Sequence, residues 1–302
     1  MAIRFDGKVA IVTGAGNGLG RSHALALAAR GAKVVVNDLG GDRSGTGAST
    51  SPAQTVVDEI LQNGGEAIAN AANVAKADEV EAMVAATLAK WGRVDVLVNN
   101  AGILRDKTFQ KMTLEDFRLV MEVHVMGSVH CTKAVWGPMR EQAYGRIVMT
   151  TSSSGLYGNF GQANYGAAKM AVVGFMNTLH LEGEKYNIRV NALAPTAMTR
   201  MTSDIGIPEA TLGLLTPESV TAGLLYLVSE DGPARTILCA GAGGFARTLI
   251  YETDGIFLNA DEQTPENVAA HFEQISSAEG QRLFKIGSDQ TTKFLAKAAK
   301  SL

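Results

Sequence analysis

Short apolar runs alternate with longer segments of helical periodicity along most of the chain. The runs Lys8–Thr13, Lys33–Asp38 and Val94–Asn99 are rich in β-branched residues, which predicts buried strands. Because strands that alternate with helices form βαβ units, the pattern predicts an α/β fold with a doubly wound parallel sheet and helices on both faces. Further strands are predicted over Glu66–Val74, Arg146–Ser152, Ile188–Leu193 and Thr236–Ala240.

Helical segments with recognisable start signals lie between these strands. Thr113 is a predicted N-cap, and Asp116 three residues later resembles a capping box; together they open a long helix toward Gln142. Thr216 is the predicted N-cap of the helix Pro217–Val228, whose proline occupies the first helical position. Further helices are predicted over Gly18–Arg30, Pro52–Gln62, Ala77–Lys90 and Ala163–Lys185.

The C-terminal segment breaks the alternation. We predict a dinucleotide-binding and catalytic domain of residues 1–245 and a C-terminal α/β extension of residues 246–302. Phe245–Tyr251 and Ile256–Leu258 predict a hairpin, with Asp254-Gly255 at its turn. The extension could be a cap over the main domain or a dimer element, and its sequence leaves both open. Two short helices are predicted to begin at Thr264-Pro265 and at Ser288.

Composition excludes several classes of protein. The 302 residues carry 27 Lys and Arg against 30 Asp and Glu, a net charge of −3, which argues against a nucleic-acid binder or an acidic-membrane anchor. Because no apolar run reaches membrane-spanning length and Met1–Lys8 does not resemble a signal peptide, we expect no membrane insertion. Cys131 and Cys239 form no cysteine cluster, so we expect neither a disulfide framework nor a metal site and predict a cytoplasmic location.

A glycine-rich turn lies between the first strand and the first helix. Such glycines let the backbone turn sharply and approach a pyrophosphate, whose charge is met by the helix N-terminus. Glycine turns also serve plain strand–helix packing, but the strand before and the helix after this turn favour a Rossmann-like dinucleotide site. The predicted cofactor contacts in the turn are Gly14, Asn17, Gly18, Leu19 and Gly20.

An acidic residue follows the turn at the end of the second strand. Asp38 lies about 20 residues on, where a carboxylate accepts hydrogen bonds from an adenosine ribose. It indicates NAD as the cofactor, because the 2′-phosphate of NADP would face a like charge. Asn17 and Leu39, where a phosphate-binding base could stand, are neutral. Arg43 in the following loop is a positively charged residue that leaves NADP as an alternative cofactor.

Two side chains of one predicted helix suggest proton-transfer chemistry. Tyr165 and Lys169 are four residues apart, so they lie on the same helix face. An ammonium beside a phenol favours the phenolate and lowers the phenol pKa toward the working range of an acid/base group. The spacing also occurs in ordinary amphipathic helices, so it does not decide the matter by itself.

Polar residues at two strand ends are expected beside this helix. Ser152 ends the preceding strand, and Asn99-Asn100-Ala101-Gly102 ends the fourth strand, at the sheet edge where open α/β sheets bind ligands. The Ser152 hydroxyl could hold a substrate oxygen while Tyr165 moves the proton. Ser153 and Ser154 are alternatives for this serine, and serines at strand ends also form turns.

In order and spacing, these motifs resemble the short-chain dehydrogenase/reductase superfamily over nearly all of the first 245 residues. The resemblance implies that Tyr165 is the general acid/base, that Ser152 positions the substrate oxygen, and that Lys169 binds the nicotinamide ribose and tunes Tyr165. It also implies hydride transfer between the nicotinamide and a carbinol carbon. Tyr165 and Lys169 are thus implied as cofactor contacts too.

The same resemblance implies further cofactor contacts. Asn100 would support the cofactor near its ribose as well as the catalytic site, with Ala101 and Gly102 of the same motif beside it. Asn73 stands where the superfamily frequently has an adenine-contacting Asp, and Val74 follows it.

Some segments resemble one branch of the superfamily more specifically. Val36–Gly47, Gly102–Lys107 and Gly155–Tyr165 are similar to the (3R)-hydroxyacyl-CoA dehydrogenase domains of type 2 peroxisomal multifunctional enzymes, also known as 17β-hydroxysteroid dehydrogenases type 4. Residues Ala240–Phe245 resemble that family's extension. The resemblance implies oxidation of a (3R)-hydroxyacyl-CoA, with a steroid-derived acyl group as one option, by NAD. It also implies a homodimer, and a homotetramer is the alternative.

The chain departs from the superfamily's pattern at several positions. His124 occupies the helical position where an Asn often completes a catalytic tetrad; we assign it a supporting catalytic role, holding a water that links Lys169 to solvent. Pro195, a predicted cofactor contact, is followed by Thr rather than Gly, and Thr199 is the candidate nicotinamide-binding hydroxyl. The last residues, Lys300-Ser301-Leu302, differ from the Ser-Lys-Leu peroxisomal address.

Three other functions stay open on the sequence alone. Two are enzymes: a free 17β-hydroxysteroid dehydrogenase and a 3-ketoacyl-acyl-carrier-protein reductase. The reductase usually runs with NADPH, which Asp38 disfavours. The third is a dinucleotide-sensing scaffold without turnover, which the presence of both Tyr165 and Lys169 disfavours.

Overall fold

The computed structural model describes residues 2–42, 44–47, 49, 51–197 and 213–299. Within these ranges eight strands form one sheet in the order β3-β2-β1-β4-β5-β6-β7-β8. The strands are β1 Val9–Thr13, β2 Lys33–Asn37, β3 Glu66–Asn70, β4 Val96–Asn99, β5 Gly145–Thr150, β6 Ile188–Pro195, β7 Ile237–Gly241 and β8 Gly244–Thr248.

The strands from β1 to β7 pair in parallel, as the alternating pattern predicted. Ala10 of β1 lies opposite Val34 of β2 on one side and opposite Val96 of β4 on the other. The strand order therefore reverses at β1. In a doubly wound sheet the chain leaves adjacent strands in opposite directions at such a point, and a crevice opens beyond their carboxyl ends.

Helices cover both faces of this sheet. The helix that carries Tyr165 is α7, and the glycine turn leads into α1. The α-helices are α1 Gly18–Ala28, α2 Ser51–Gln62, α3 Ala77–Trp91, α4 Leu114–Met121, α5 Gly127–Glu141, α6 Ser153–Tyr157, α7 Ala163–Gly183, α8 Pro217–Leu227, α9 Pro265–Ala270, α10 Phe272–Ile275 and α11 Ser288–Ala298.

Successive side chains along a strand point to opposite faces of the sheet, so the hydrophobic core is divided into two parts, one on each face. Val12 packs on the face covered by α1 and α8, together with Leu27 and Leu224. Its neighbour Ile11 points the other way and packs with Val135 of α5. Every residue of β1 is buried, because a parallel strand in the middle of a covered sheet has no solvent face. The predicted fold class is thus confirmed.

The long helix predicted from Thr113 to Gln142 is interrupted. Thr113 does cap α4, since its side chain accepts a hydrogen bond from the Asp116 backbone N–H. The Asp116 carboxylate instead contacts Arg105 and Lys107. Between α4 and α5, residues Glu122–Met126 form a π-helical turn. Such a turn inserts one residue into the helix and is frequent at functional sites.

The predicted hairpin over Phe245–Tyr251 and Ile256–Leu258 is wrong. Ala242 and Gly243 have φ values of +47° and +78°, so the chain reverses directly after β7. The next segment, β8, therefore joins the edge of the main sheet beside β7. Residues 256–258 form no strand in the described structure.

The chain divides into two compact units, Met1–Arg247 and Thr248–Leu302. In the second unit Lys293 is buried and contacts Glu252, and Lys297 lies 2.6 Å from Asp254. Thr264 caps α9, because its side chain accepts a hydrogen bond from a backbone N–H of the first turn. None of the described helices is both long enough and apolar enough to cross a membrane.

Candidate active site

The glycine turn is braced by the ends of β1 and β4. The Asn100 side-chain amide donates to the carbonyls of Thr13, at 2.9 Å, and Gly14, at 3.1 Å. The Thr13 hydroxyl in turn accepts from the backbone N–H groups of Asn100 and Ala101, each at 3.0 Å. Asn100 therefore holds the turn in place, and Thr13 holds Asn100.

Glycine is required where this turn passes closest to its neighbours. A Cβ built on Gly14 would lie 2.8 Å from the Ala101 Cα, and one on Gly20 would lie 2.1 Å from the Gly14 carbonyl oxygen. Gly14 also has a φ of +64°, in the left-handed region that favours glycine. The backbone thus forms a cradle that side chains would fill.

The first turn of α1 is free to meet an anion. Asn17 occupies the N-cap, but its side chain makes no capping hydrogen bond, and no acidic residue lies in the first turn. The N–H groups at the start of a helix have no intrahelical acceptor, and the helix dipole favours negative charge there. The cradle and this helix end together fit the pyrophosphate of a dinucleotide.

Asp38 lies directly beside the turn. One carboxylate oxygen accepts a hydrogen bond from the Gly16 N–H at 2.8 Å, and the other accepts from the Gly40 N–H at 2.7 Å. Asp38 therefore ties the glycine turn to the loop that follows β2. Each oxygen has a further lone pair that can accept from a ribose hydroxyl.

A cleft of about 240 Å³ opens over these elements, and we call it the glycine-turn cleft. Arg43 and the candidate Thr199 lie outside the described residues. The predicted cofactor residues that line this cleft are Gly14, Asn17, Gly18, Leu19, Gly20, Asp38, Asn73, Val74, Asn100, Ala101 and Gly102.

A second cleft, of about 430 Å³, contains the predicted acid/base residues, and we call it the tyrosine cleft. Its wall shares Leu19, Asn100 and Gly102 with the glycine-turn cleft, so the two spaces adjoin. Of the other predicted residues, those that line the tyrosine cleft are His124, Ser152, Tyr165, Lys169 and Pro195.

Ser152 and Tyr165 line the tyrosine cleft together, and the Ser152 hydroxyl is close enough to the phenol to lower its pKa. Ser152 is also the N-cap of α6, with its hydroxyl accepting from the Ser154 N–H at 3.2 Å. The Ser154 hydroxyl donates to Gln162 at 2.8 Å instead. Among the three neighbouring serines, Ser152 is therefore the one whose hydroxyl acts on the phenol.

Lys169 is buried behind the Tyr165 ring. Its Nζ donates to the Thr150 carbonyl at 2.6 Å and lies 5.4 Å from the ring centroid. Burial disfavours the ammonium and lowers the pKa of Lys169 to about 7. The lysine is thus held between the strand end and the ring, one helical turn from the phenol.

The acidity of Tyr165 differs from the sequence expectation. Burial raises the pKa of the phenol to about 12, although the nearby Ser152 hydroxyl opposes this shift. The sequence predicts that Lys169 lowers this pKa, but the loss of solvation has the largest effect, the Asp106 charge raises the pKa further, and Lys169 is not among the groups that shift it. The phenol is therefore protonated at neutral pH in this structure.

His124 lies in the π-helical turn with its ring edge against Tyr165. The ring centroids are 5.2 Å apart and the planes are nearly perpendicular, at 89°. Burial, with a smaller effect of the Lys169 charge, lowers the pKa of His124 to about 3, so the imidazole is neutral. Its Nε2 lies 2.8 Å from the Ile103 carbonyl oxygen, and its buried Nδ1 has no partner among the described residues.

Sequence reasoning missed two residues that support this site. Asn164 is fully buried, and its side-chain oxygen accepts from the Tyr165 backbone N–H at 2.7 Å. Its amide nitrogen donates to the Arg105 carbonyl at 3.1 Å. Thr150 supplies the carbonyl that binds Lys169. An Asn directly before the tyrosine is a weak signal, and a backbone carbonyl leaves no signal at all.

The model of the short chain dehydrogenase family matches residues 8–209. That is more than half of the chain, and it includes the glycine turn and the predicted catalytic residues Ser152, Tyr165 and Lys169. The chain belongs to the short-chain dehydrogenase family. It is accordingly an oxidoreductase that acts on CH–OH groups of small-molecule substrates.

Individual relatives support the finer resemblance. The chain is 48% identical over 278 residues to a "putative short-chain type dehydrogenase/reductase" of Mycobacterium tuberculosis, covering 91% of this chain and 96% of that protein. It is 47% identical over 276 residues to peroxisomal multifunctional enzyme type 2 of Mus musculus, covering 90% of this chain but 37% of the mouse enzyme. The resemblance to the type 2 multifunctional enzymes is confirmed.

Solved structures agree with this placement. Full-length peroxisomal multifunctional enzyme type 2 from Drosophila melanogaster superposes with a TM-score of 0.83 at 35% identity, over 99% of this chain and 50% of that one. A 7α-hydroxysteroid dehydrogenase complexed with NADH and 7-oxo glycochenodeoxycholic acid superposes with a TM-score of 0.72 at 32% identity, over 80% of this chain and 95% of that one. As a member of this family, the chain described here uses a nicotinamide dinucleotide as its cofactor. The chain spans half or less of these two multifunctional enzymes.

Proposed function

We propose that this protein oxidises a secondary alcohol to a ketone with NAD, and that the alcohol is a (3R)-hydroxyacyl-CoA. The main support for this reaction type is that Ser152, Tyr165 and Lys169 line a cleft that adjoins the glycine-turn cleft. An alcohol bound beside Tyr165 would lie next to the space for the cofactor. Proximity of this kind supplies much of the rate enhancement of a two-substrate reaction.

Each residue has a separate role in the proposed mechanism. The bound dinucleotide supplies the redox chemistry, exchange of a hydride with the reacting carbon. Tyr165 exchanges a proton with the substrate oxygen, and Ser152 holds that oxygen through its hydroxyl. Lys169, fixed by Thr150, would bind the nicotinamide ribose, and in its protonated form it would add positive charge near the phenol.

His124 is proposed as a supporting residue. The imidazole Nε2 lies 3.1 Å from the Ile103 N–H and 2.8 Å from the Ile103 carbonyl oxygen, so Ile103 can bind either neutral tautomer, and Nδ1 in the buried wall of the tyrosine cleft is left for another partner. A water there could link Lys169 to solvent. Because burial lowers its pKa to about 3, we assign His124 no role as an imidazolium proton donor near neutral pH.

The preference for NAD rests on Asp38. Its carboxylate is held by two backbone N–H groups beside the glycine turn. A 2′-phosphate at the adenosine ribose would meet this negative charge, whereas a ribose hydroxyl would donate to it. NADP would therefore bind less tightly than NAD.

The proposed acyl-CoA substrate follows from the relatives. Peroxisomal multifunctional enzyme type 2 matches most of this chain in both sequence and structure. A free hydroxysteroid is the second candidate, because one structural neighbour holds 7-oxo glycochenodeoxycholic acid together with NADH. A 3-ketoacyl-acyl-carrier-protein reductase is disfavoured by the Asp38 argument. The homodimer and the cytoplasmic location stay predictions.

A substrate panel tests the proposed function. We expect purified protein with NAD to oxidise (3R)-hydroxyacyl-CoAs with a higher kcat/KM than free hydroxysteroids or simple alcohols. NADH should also bind more tightly than NADPH in a fluorescence titration. Faster turnover of hydroxysteroids would favour the second candidate, and tight NADH binding without any turnover would favour the sensing scaffold. Faster turnover with NADP than with NAD would contradict the argument from Asp38.

The pH dependence of oxidation should follow the ionisation of Tyr165. Oxidation needs the phenolate as a base, and burial raises the phenol pKa to about 12. At pH values below this pKa, the phenolate fraction increases about tenfold for each unit by which the pH rises. The kcat/KM for oxidation should therefore rise steadily from pH 7 to pH 10. Initial rates of ketone reduction, which use the protonated phenol, should stay nearly constant over this range. A rise that levels off near pH 7 would assign the step to Lys169 instead.

A further inference from the structure

The loop after β2 forms one wall of the glycine-turn cleft. Gly41, Asp42 and Gly45 line the cleft from this side. The loop, residues 40–47, is described except for Arg43. It closes on itself, because the Asp42 N–H donates to the Thr46 carbonyl at 2.8 Å and the Asp42 carboxylate accepts from the N–H groups of Ser44 and Thr46, each at 2.9 Å.

One side chain outside the loop fastens it to the rest of the site. The Arg105 Nε donates to the Ser44 carbonyl at 2.8 Å. The same guanidinium contacts the Asp116 carboxylate at 3.4 Å, which orients it from the other side. The loop also lies against the neighbouring segment, since a Cβ on Gly45 would lie 3.1 Å from the Ile103 Cγ2. Arg105 thus forms a bridge from Asp116 to the loop.

The backbone of Arg105 is fixed as firmly as its side chain. Its carbonyl accepts from the side-chain amide of Asn164 at 3.1 Å. Asn164 is fully buried and also binds the Tyr165 N–H at the start of α7. The guanidinium therefore projects from a segment that is anchored to the helix of the catalytic tyrosine.

We propose that Arg105 is a positioning residue that holds the 40–47 loop in its cofactor-binding shape before the cofactor arrives. Three glycines of the loop, at 40, 45 and 47, have φ values between +75° and +85°. A free loop of this composition would sample many backbone conformations and would lose that freedom on binding. Fastening the loop in advance removes part of this cost and so strengthens cofactor binding. The proposal rests on the proposed binding of NAD in the glycine-turn cleft.

Titration of the protein with NADH, followed by fluorescence, tests the proposal without any turnover. For Arg105→Ala we expect a Kd about tenfold higher than that of the wild type, the order expected when one charged hydrogen bond is lost. Arg105→Lys keeps the positive charge but lacks the planar guanidinium group, so its Kd should lie between those of the wild type and Arg105→Ala. In steady-state kinetics the KM for NAD should rise with the Kd, while kcat changes far less.

Lys107→Ala is the matched control. Lys107 also contacts Asp116, at 3.2 Å, but its side chain makes no contact with the loop in the described structure. Its Kd for NADH and its thermal midpoint should equal those of the wild type. Equal weakening in the Lys107 and Arg105 variants would overturn the proposal, because the effect would then come from the charge around Asp116.

Two further results separate this proposal from the proposed function. If the wild type binds NADH and both Arg105 variants bind it equally well, the loop does not need Arg105 and only the positioning role is wrong. If the wild type binds no NADH, the proposed function itself is wrong and the positioning role fails with it. A thermal midpoint for Arg105→Lys close to that of the wild type shows that a weaker affinity does not come from unfolding.

Discussion

Replacing Tyr165 by phenylalanine is expected to lower kcat for alcohol oxidation by about 10²- to 10⁴-fold, the usual contribution of a general acid/base. The substitution removes only the phenol oxygen of Tyr165, which lines the tyrosine cleft together with Ser152. The ring keeps its contact with the edge of His124. The expected loss is therefore chemical, and the measurement is steady-state oxidation at saturating NAD.

Cofactor binding separates a chemical effect from a structural one. The glycine turn and Asp38 do not contact the phenol oxygen, so the Kd of Tyr165→Phe for NADH should stay close to the wild-type value. Tyr226→Phe, at a half-exposed position away from both clefts, is the matched control and should keep full activity. Oxidation by Tyr165→Phe at the wild-type rate would remove Tyr165 from the mechanism.

Replacing Gly20 by alanine should disable the proposed cofactor site. The new Cβ would lie 2.1 Å from the Gly14 carbonyl oxygen and 2.6 Å from the Asn100 Nδ2, so the turn or its brace has to move. Displacing a binding element by roughly 1 Å costs about 10²-fold in rate, and we expect kcat/KM for NAD to fall by that order. The free energy of unfolding should also fall by about 1–3 kcal/mol, as in other overpacked sites.

Gly174→Ala is the matched control for this substitution. Gly174 lies within α7, and a Cβ there would have no atom within 4 Å. In the middle of a helix, alanine is favoured over glycine by about 0.5–1 kcal/mol, so this variant should be slightly more stable and fully active. Chemical denaturation and NADH titration of both variants measure the two effects. Wild-type NADH affinity in Gly20→Ala would show that the close approach of Gly14 and Asn100 is not needed.

Much of the fold could be predicted from local patterns. The β-branched runs at β1 and β2 lie in the middle of the sheet, where both faces are covered, so their hydrophobicity is uninterrupted. Thr113 and Thr216 both cap helices, because a hydroxyl one residue before a helix finds an N–H within reach whatever the tertiary structure. Features that depend on residues close together in the sequence could therefore be predicted.

Features that depend on residues far apart in the sequence could not be predicted. The π-helical turn at Glu122–Met126 and the pairing of β8 with β7 depend on packing and on two left-handed residues, which a periodicity does not reveal. The raised pKa of Tyr165 depends on how much of the phenol is desolvated, and spacing along a helix contains no such information. The link from Ser44 through Arg105 to Asn164 joins three separate segments, so it is visible only after folding.

The wall common to the two clefts has a practical consequence for redesign. Leu19, Asn100 and Gly102 each line both clefts, so enlarging the proposed substrate space at these positions would also reshape the proposed site of the nicotinamide dinucleotide. Substitutions meant to broaden the substrate range should therefore be made at Phe160 and Leu215, which line the tyrosine cleft and not the glycine-turn cleft. Libraries built there would alter selectivity for the alcohol and leave the affinity for the coenzyme intact.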